Sequence, residues 1–180
     1  MGGYNGIFGL ISAKVNPTAE VFIFEPEPEN FKHIQNNITL NGLANVTVLR
    51  MAISDKKGTV KFRDHAGGTG GNIAETDGLE DIEVACTTID SWLEENKKTP
   101  TLIKLDIEGA EFRALQGMSK LLTMSSDLKI LLEVHQMFLE RFGNSEKEIW
   151  KLFQNMKYDS IWLDQNRLTT HYWVYKSNRS

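Results

Sequence analysis

Three short, nearly continuous apolar runs each close on groups that can ionise: EVFIFE on Glu25, TLIKLD on Asp106, and KILLEVH on Glu133 and His135. Runs of this kind, without a polar residue at every second position, are the pattern of strands buried on both faces. Helices must cover both sides of such a sheet, and helix-patterned stretches do alternate with these runs, so the chain reads as an α/β domain.

The remaining pattern fills in that frame. Ile7 to Lys14 reads as a helix after a glycine-rich opening, and Val21 to Phe24 as a buried strand between Pro17 and Pro26. Residues 28 to 40 read as a helix with Phe31, Ile34, Ile38 and Leu40 on its apolar side, stopped by Gly42. A strand is expected from Val46 to Ile53, then a hairpin-like KKGTVKFRD and a glycine-rich loop, HAGGTGGNIAETDG. IEVAC reads as a strand, TTIDSWLEE as a helix with a Thr cap, and DIEGAEFRALQGMSKLL as one helix carrying Phe112, Leu115, Met118 and Leu122 on one side. A helix over 145 to 156 precedes two alternating strands, YDSIWLD and THYWVYK, joined by DQNRL and expected to pair antiparallel. The aromatic-rich C-terminal third, with Trp150, Phe153, Trp162, Tyr172 and Trp173, fits core positions. No linker or repeat divides the 180 residues, and a single domain is expected.

Composition removes several function classes. With 20 basic and 24 acidic residues the net charge is −4, so the balance favours neither nucleic acid nor an anionic membrane as partner. A single cysteine, Cys86, rules out an intrachain disulfide framework and fits a reducing compartment. No apolar run approaches the roughly 20 residues of a membrane span, and the opening MGGYNGIFGLISAKV lacks a basic leader. The cytoplasm is the expected location.

In an open α/β sheet ligands sit outside the carboxyl ends of the strands, which is where the three acid-bearing run ends fall. Several like charges in one crevice call for a ligand, a cation or matched donors. The opening GGYNGIFG adds Gly2, Gly3 and Gly6, which allow a tight turn to approach a ligand beside a helix N-terminus. Glu25 follows Gly6 by nineteen residues, near the spacing at which dinucleotide-type folds hold ribose hydroxyls on an acid. Asp106, Glu108 and His135 are the candidate proton acceptors, His135 because its ordinary pKa lies nearest neutrality. Glu111 and Arg113 are expected to face solvent or to form ion pairs along the helix. Asp106, Glu133 and His135 offer donors to a metal, yet no spacing demands one.

Taken in order, GGYNGIFG, FIFEPEPENFKHIQNNITLNG, AISDKKGTV, TTIDSW, LIKLDIEGAEFRALQG and ILLEVH resemble the FkbM-type family of S-adenosylmethionine-dependent methyltransferases over nearly the whole chain. The resemblance implies a Rossmann-like class I methyltransferase sheet, mostly parallel with a C-terminal antiparallel hairpin. It implies S-adenosyl-L-methionine as methyl donor, and O-methylation of a sugar or natural-product hydroxyl on a small molecule or glycan. By position, Gly2, Gly3 and Gly6 would line the methionine part of the cofactor, Glu25 the ribose, and Ala52 and Ile53 the adenine. The family also implies an apolar strand ending in an acid ahead of the glycines; these residues begin at Met1 without it. The expected sheet therefore lacks its usual first strand, and its open edge invites self-association. Two other readings share the pattern: a methyltransferase-like fragment that binds without turnover, and a nicotinamide-dependent oxidoreductase. The second is weakened because GGYNGIFG is no clean G-x-G-x-x-G. Acceptor contacts are expected in the loop 66 to 78 and near the C-terminal hairpin.

Overall fold

The computed structural model describes residues 1–63, 72–73, 81–165 and 169–177. Although no linker is legible in the sequence, the chain gathers into two compact units, Met1–Ala52 with Gly58–Cys86, and Ile53–Lys57 with Thr87–Ser180.

In the first unit, α1 (Ile7–Val15) leads to β1 (Val21–Phe24), α2 (Pro28–Leu40) and β2 (Val46–Leu49). The strands β1 and β2 pair in parallel, Val21 opposite Val46 through Phe24 opposite Leu49. Glycine sets how closely the chain packs on β1: a Cβ on Gly9 would lie 2.5 Å from Ile23, and one on Gly3 would lie 2.6 Å from Ile23 and 2.9 Å from Ile34. Pro28 opens α2 at a position needing no N–H, and Glu27 caps it by accepting from the backbone N–H groups of Glu29 and Asn30. Ile34 is fully buried on the inner side of α2, whereas Leu40, expected on that side, is exposed at its last residue.

The expected strand Val46 to Ile53 is interrupted at Arg50 and Met51, and Ala52–Ile53 forms its own short strand, β3. It begins a second sheet with β4 (Gly58–Arg63), β5 (Asn72–Ile73) and β6 (Asp81–Thr87), in the order β3-β6-β4-β5. β4 lies antiparallel to both β5 and β6. Ala52, Phe62, Val84 and Cys86 form its buried cluster, and Arg63 clasps the carboxylate of its cross-strand neighbour Asp81 with two hydrogen bonds.

The second unit continues with α3 (Ile89–Asn96), β7 (Leu102–Leu105), α4 (Glu111–Gln116), α5 (Ser119–Met124), β8 (Lys129–His135), α6 (Gln136–Leu139), α7 (Glu146–Asn155), β9 (Tyr158–Gln165) and β10 (Thr169–Lys176). Its sheet runs β7-β8-β10-β9, with β7 parallel to β8 and β10 antiparallel to both of its neighbours. The side chain of Thr88 caps α3 as expected, accepting from the Ser91 N–H. α7 starts with a capping box between Ser145 and Glu148.

One helix was expected after KLD, and two are present. Gly117 lies between them, where a Cβ would fall 2.2 Å from the carbonyl oxygen of Ser54, and the Asp90 carboxylate accepts from the Lys120 and Leu121 N–H groups to start α5 anew. Leu115, Met118 and Leu122 are fully buried. Trp162 is exposed, a departure from its expected core position, because β9 is an edge strand with one neighbour. Among the described residues β1 pairs only with β2, and β7 only with β8. No helix there is long and apolar enough to cross a membrane.

Candidate active site

The GGYNGIFG turn is built on left-handed backbone. Gly2, Tyr4 and Gly6 have φ of 72°, 45° and 84°, and the Gly6 N–H closes the turn on the Gly3 carbonyl at 2.6 Å. Glu25, at the end of β1 and 4% exposed, ties the turn down. Its Oε2 accepts from the Tyr4 N–H at 2.7 Å and its Oε1 from the Glu27 N–H at 3.0 Å. Gly3 and Gly6 thus serve backbone shape and packing against Ile23 and Ile34 in the first instance. The Asn30 side chain also hydrogen-bonds this carboxylate, and the acceptor capacity left on its two oxygens fits a vicinal diol.

Burial, the largest influence on Glu25, pushes its carboxyl pKa above the ordinary value, against the lowering effect of the Glu27 and Tyr4 donors. With the folded pKa raised, the favourable contribution of this group is present below the ordinary carboxylate range and lost as pH rises through the folded value. Glu25→Gln is therefore expected to gain stability relative to the parent between pH 4 and pH 7, roughly the span set by ordinary carboxyl groups. Denaturant midpoints at the two pH values check this; a constant difference contradicts it. Ala52 and Ile53, expected beside an adenine, are both buried and offer no exposed apolar surface.

The second unit brings Asp106, Glu108 and His135 together, with one ligand-type atom from each within 4.8 Å of the others. Asp106 follows β7 and His135 closes β8. Between β7 and α4 the backbone turns through two residues of positive φ, Glu108 at 54° and Gly109 at 99°. Gly109 is required twice over, because a Cβ there would also lie 2.7 Å from the Phe138 backbone. This turn brings the Glu108 Oε2 to 3.4 Å from His135 Nε2, while Asp106 Oδ1 stands at 3.7 Å and Glu133 Oε1 at 3.6 Å.

Behind the ring sits Glu111, fully buried. Its Oε1 meets His135 Nδ1 at 3.0 Å and also accepts from the Gly109 N–H at 3.0 Å. The expectation that Glu111 faces solvent is thereby overturned. It is the first residue of a helix whose preceding residue, Ala110, has no capping side chain, so the carboxylate turns back to serve the turn's N–H groups. A legible signal existed in DIEGAE: an acid opening a helix that lacks a Ser, Thr, Asp or Asn cap. Arg113 is half-buried, its guanidinium over the Phe142 ring at 4.9 Å.

For His135, burial disfavours the imidazolium, but the hydrogen bond and charge of Glu111, with the charges of Glu108 and Asp106, outweigh it and hold the pKa at about 9. The neutral titration expected from the sequence is displaced upward, and the ring carries its proton at pH 7. Burial raises the Glu108 pKa as its first cause, opposed by the His135 charge and reinforced by Asp106, Glu111 and Glu133. The ring is stacked on Phe138, centroids 5.8 Å apart and 6° from parallel. Of the loop 66 to 78, all but residues 72 and 73 lies outside the described residues, as do 166–168 of the C-terminal turn.

The fold is shared with known proteins. A hexuronic acid methyltransferase, AglP, from Haloferax volcanii is 27% identical over 141 residues, which are 77% of this chain and 54% of that protein. The chain thus spans about half the length of this curated relative. The crystal structure of methyltransferase FkbM from Methylobacillus flagellatus superposes with a TM-score of 0.66 at 18% identity, over 97% of this chain and 42% of that one. A precorrin-6y C5,15-methyltransferase from Geobacter metallireducens gives 0.56 at 12% identity, over 98% and 78%. These likenesses show a class I methyltransferase fold with mixed parallel and antiparallel sheets. The sequence model of the Methyltransferase FkbM domain matches residues 1–160, the greater part of the chain, and the chain belongs to that family.

Proposed function

We propose that the protein is an S-adenosylmethionine-dependent O-methyltransferase acting on a hydroxyl of a sugar or natural product. The observation that carries the reading is the family match over residues 1–160, joined to an acid–base cluster at the carboxyl ends of β7 and β8. The nicotinamide-dependent oxidoreductase is set aside by the same match.

When bound, S-adenosylmethionine supplies an electrophilic methyl group on a sulfonium. In the first unit Glu25 would accept hydrogen bonds from the ribose hydroxyls, its carboxylate held in place by the Tyr4 and Glu27 N–H groups. In the second unit a hydroxyl acceptor must lose its proton as its oxygen takes the methyl group. Glu108 and Asp106 are the receiving groups there, and burial raises the Glu108 pKa. His135, kept charged by Glu111, stands beside them as a fixed positive partner. A hexuronic acid methyltransferase is among the relatives, but a carboxylate acceptor has no proton to lose and would leave this cluster without work, which favours a hydroxyl.

Calorimetric titration with S-adenosylhomocysteine tests the cofactor half. Glu25→Ala is expected to weaken binding by about 1.5–3 kcal/mol for each ribose hydrogen bond it removes. Equal affinity in parent and variant removes Glu25 from the site, and no binding by the parent leaves a fold without the proposed activity.

A further inference from the structure

His135 is 6% exposed, and its Nε2 faces three carboxylate oxygens at 3.4, 3.6 and 3.7 Å, from Glu108, Glu133 and Asp106. None of these contacts has hydrogen-bond geometry; among the described residues the ring's hydrogen bond runs from Nδ1 to Glu111. Three carboxylate oxygens thus converge on one nitrogen of a buried ring without hydrogen-bonding to it. Donor atoms about 2.1 Å from a shared cation, at angles near 90–110°, lie roughly 3.0–3.5 Å from one another. The Nε2–oxygen spacings lie at or just above that range, and Asp106, Glu108 and His135 keep one donor atom each within 4.8 Å of one another.

Outer partners hold three of the four groups. Lys104 binds the other oxygen of Asp106. His171 Nε2 lies 3.2 Å from Glu133 Oε2. The fully buried Glu111 fixes the imidazole through Nδ1. In each of these groups one atom is engaged outward and one is left facing the common centre, the arrangement by which outer-shell partners orient metal ligands. Glu108 reaches the centre from a left-handed backbone position, φ 54°, a conformation that costs energy in a non-glycine residue. Glu111 Oε2 is itself buried with no hydrogen-bond partner, which adds an uncompensated acceptor to a cluster already rich in negative charge.

We propose that Asp106 Oδ1, Glu108 Oε2, Glu133 Oε1 and His135 Nε2 form a binding site for one divalent cation, which displaces the Nε2 proton of His135 to solvent as it binds. One imidazole with three carboxylates suits a cation that accepts mixed nitrogen and oxygen donors, such as Mn²⁺. The side chains of Asp106, Glu108 and Glu133 are 24%, 31% and 20% exposed, so further coordination positions remain open to water or to an acceptor oxygen; that last role rests on the methyltransferase reading, whereas cation binding does not.

Mn²⁺ added to metal-stripped protein, followed by the electron-spin-resonance signal of the free ion, tests the site. One ion per chain is expected to bind. Glu108→Gln and Glu133→Gln are each expected to weaken binding at least tenfold, while the surface variant Glu29→Gln leaves it unchanged. Circular dichroism identifies a variant that has not folded, and either carboxylate variant suffices. Absence of stoichiometric binding, or binding unaltered in a folded Glu108 or Glu133 variant, overturns the proposal. S-adenosylhomocysteine titration of the same samples separates the two readings: Mn²⁺ bound without S-adenosylhomocysteine keeps the cation site and sinks the methyltransferase assignment, and the reverse sinks the cation site alone.

Discussion

Glu111→Ala is expected to lower the stability of the protein by about 3–5 kcal/mol, the range for removing one partner from a buried charged pair. The carboxylate is fully buried and holds His135 on one side and the Gly109 N–H on the other. Its loss leaves a buried imidazolium and a buried N–H without their acceptor, in a site where water cannot replace it without rearrangement. Glu111→Gln separates the two contributions. The amide still accepts from Gly109 but no longer supplies the charge that helps hold the His135 pKa at about 9. In buffer freed of divalent ions, nuclear magnetic resonance should show that pKa falling in Glu111→Gln, with a smaller stability loss than in the alanine variant. A loss below about 1 kcal/mol in Glu111→Ala, the scale of a surface change, contradicts the buried pair.

The largest effect on activity is expected at Glu108. Glu108→Gln preserves shape and removes the proposed proton-accepting oxygen, and in buffer freed of divalent ions the transfer rate should fall on the order of 100-fold or more, the usual scale for general-base loss. S-adenosylhomocysteine affinity should stay at the parent's value, because the proposed ribose contacts come from Glu25. A rate within a few-fold of the parent's, by the same scale, moves the proton to Asp106. A parallel loss of rate and cofactor affinity makes Glu108 a residue of the binding site instead.

The fold was largely legible where burial alone decides it. β1 and β7 coincide with the apolar runs that announced them, and α2 with its expected span, because an unbroken apolar run between turn residues leaves a strand few other outcomes. The failures lie where a neighbour distant in sequence decides. Gly117 reads as a tolerated helical glycine, and only the carbonyl of Ser54 standing against it explains the break between α4 and α5. Likewise Glu111 obeys the spacing of a surface helix, and only the uncapped turn of residues 107–110 draws it inward.

In the site, the acids at the strand ends were legible as chemistry and only partly as geometry. Glu25, Asp106 and His135 could be singled out from their positions after apolar runs. The pairing of His135 with Glu111 could not, and that pairing changes the ring from a neutral base into a charged partner. The glycines of GGYNGIFG were read as room for a ligand; Gly3 and Gly6 also answer to Ile23 and Ile34, a demand of packing that spacing along the chain does not reveal.

Methyl transfer itself is the most direct test. The protein, incubated with S-adenosylmethionine labelled in the methyl group and a panel of sugar and polyketide hydroxyls, should yield a labelled product that survives mild alkali as a methyl ether. Label released by alkali would mark a methyl ester and contradict the hydroxyl assignment, and no transfer to any acceptor, with S-adenosylhomocysteine unbound, would contradict the methyltransferase reading as a whole.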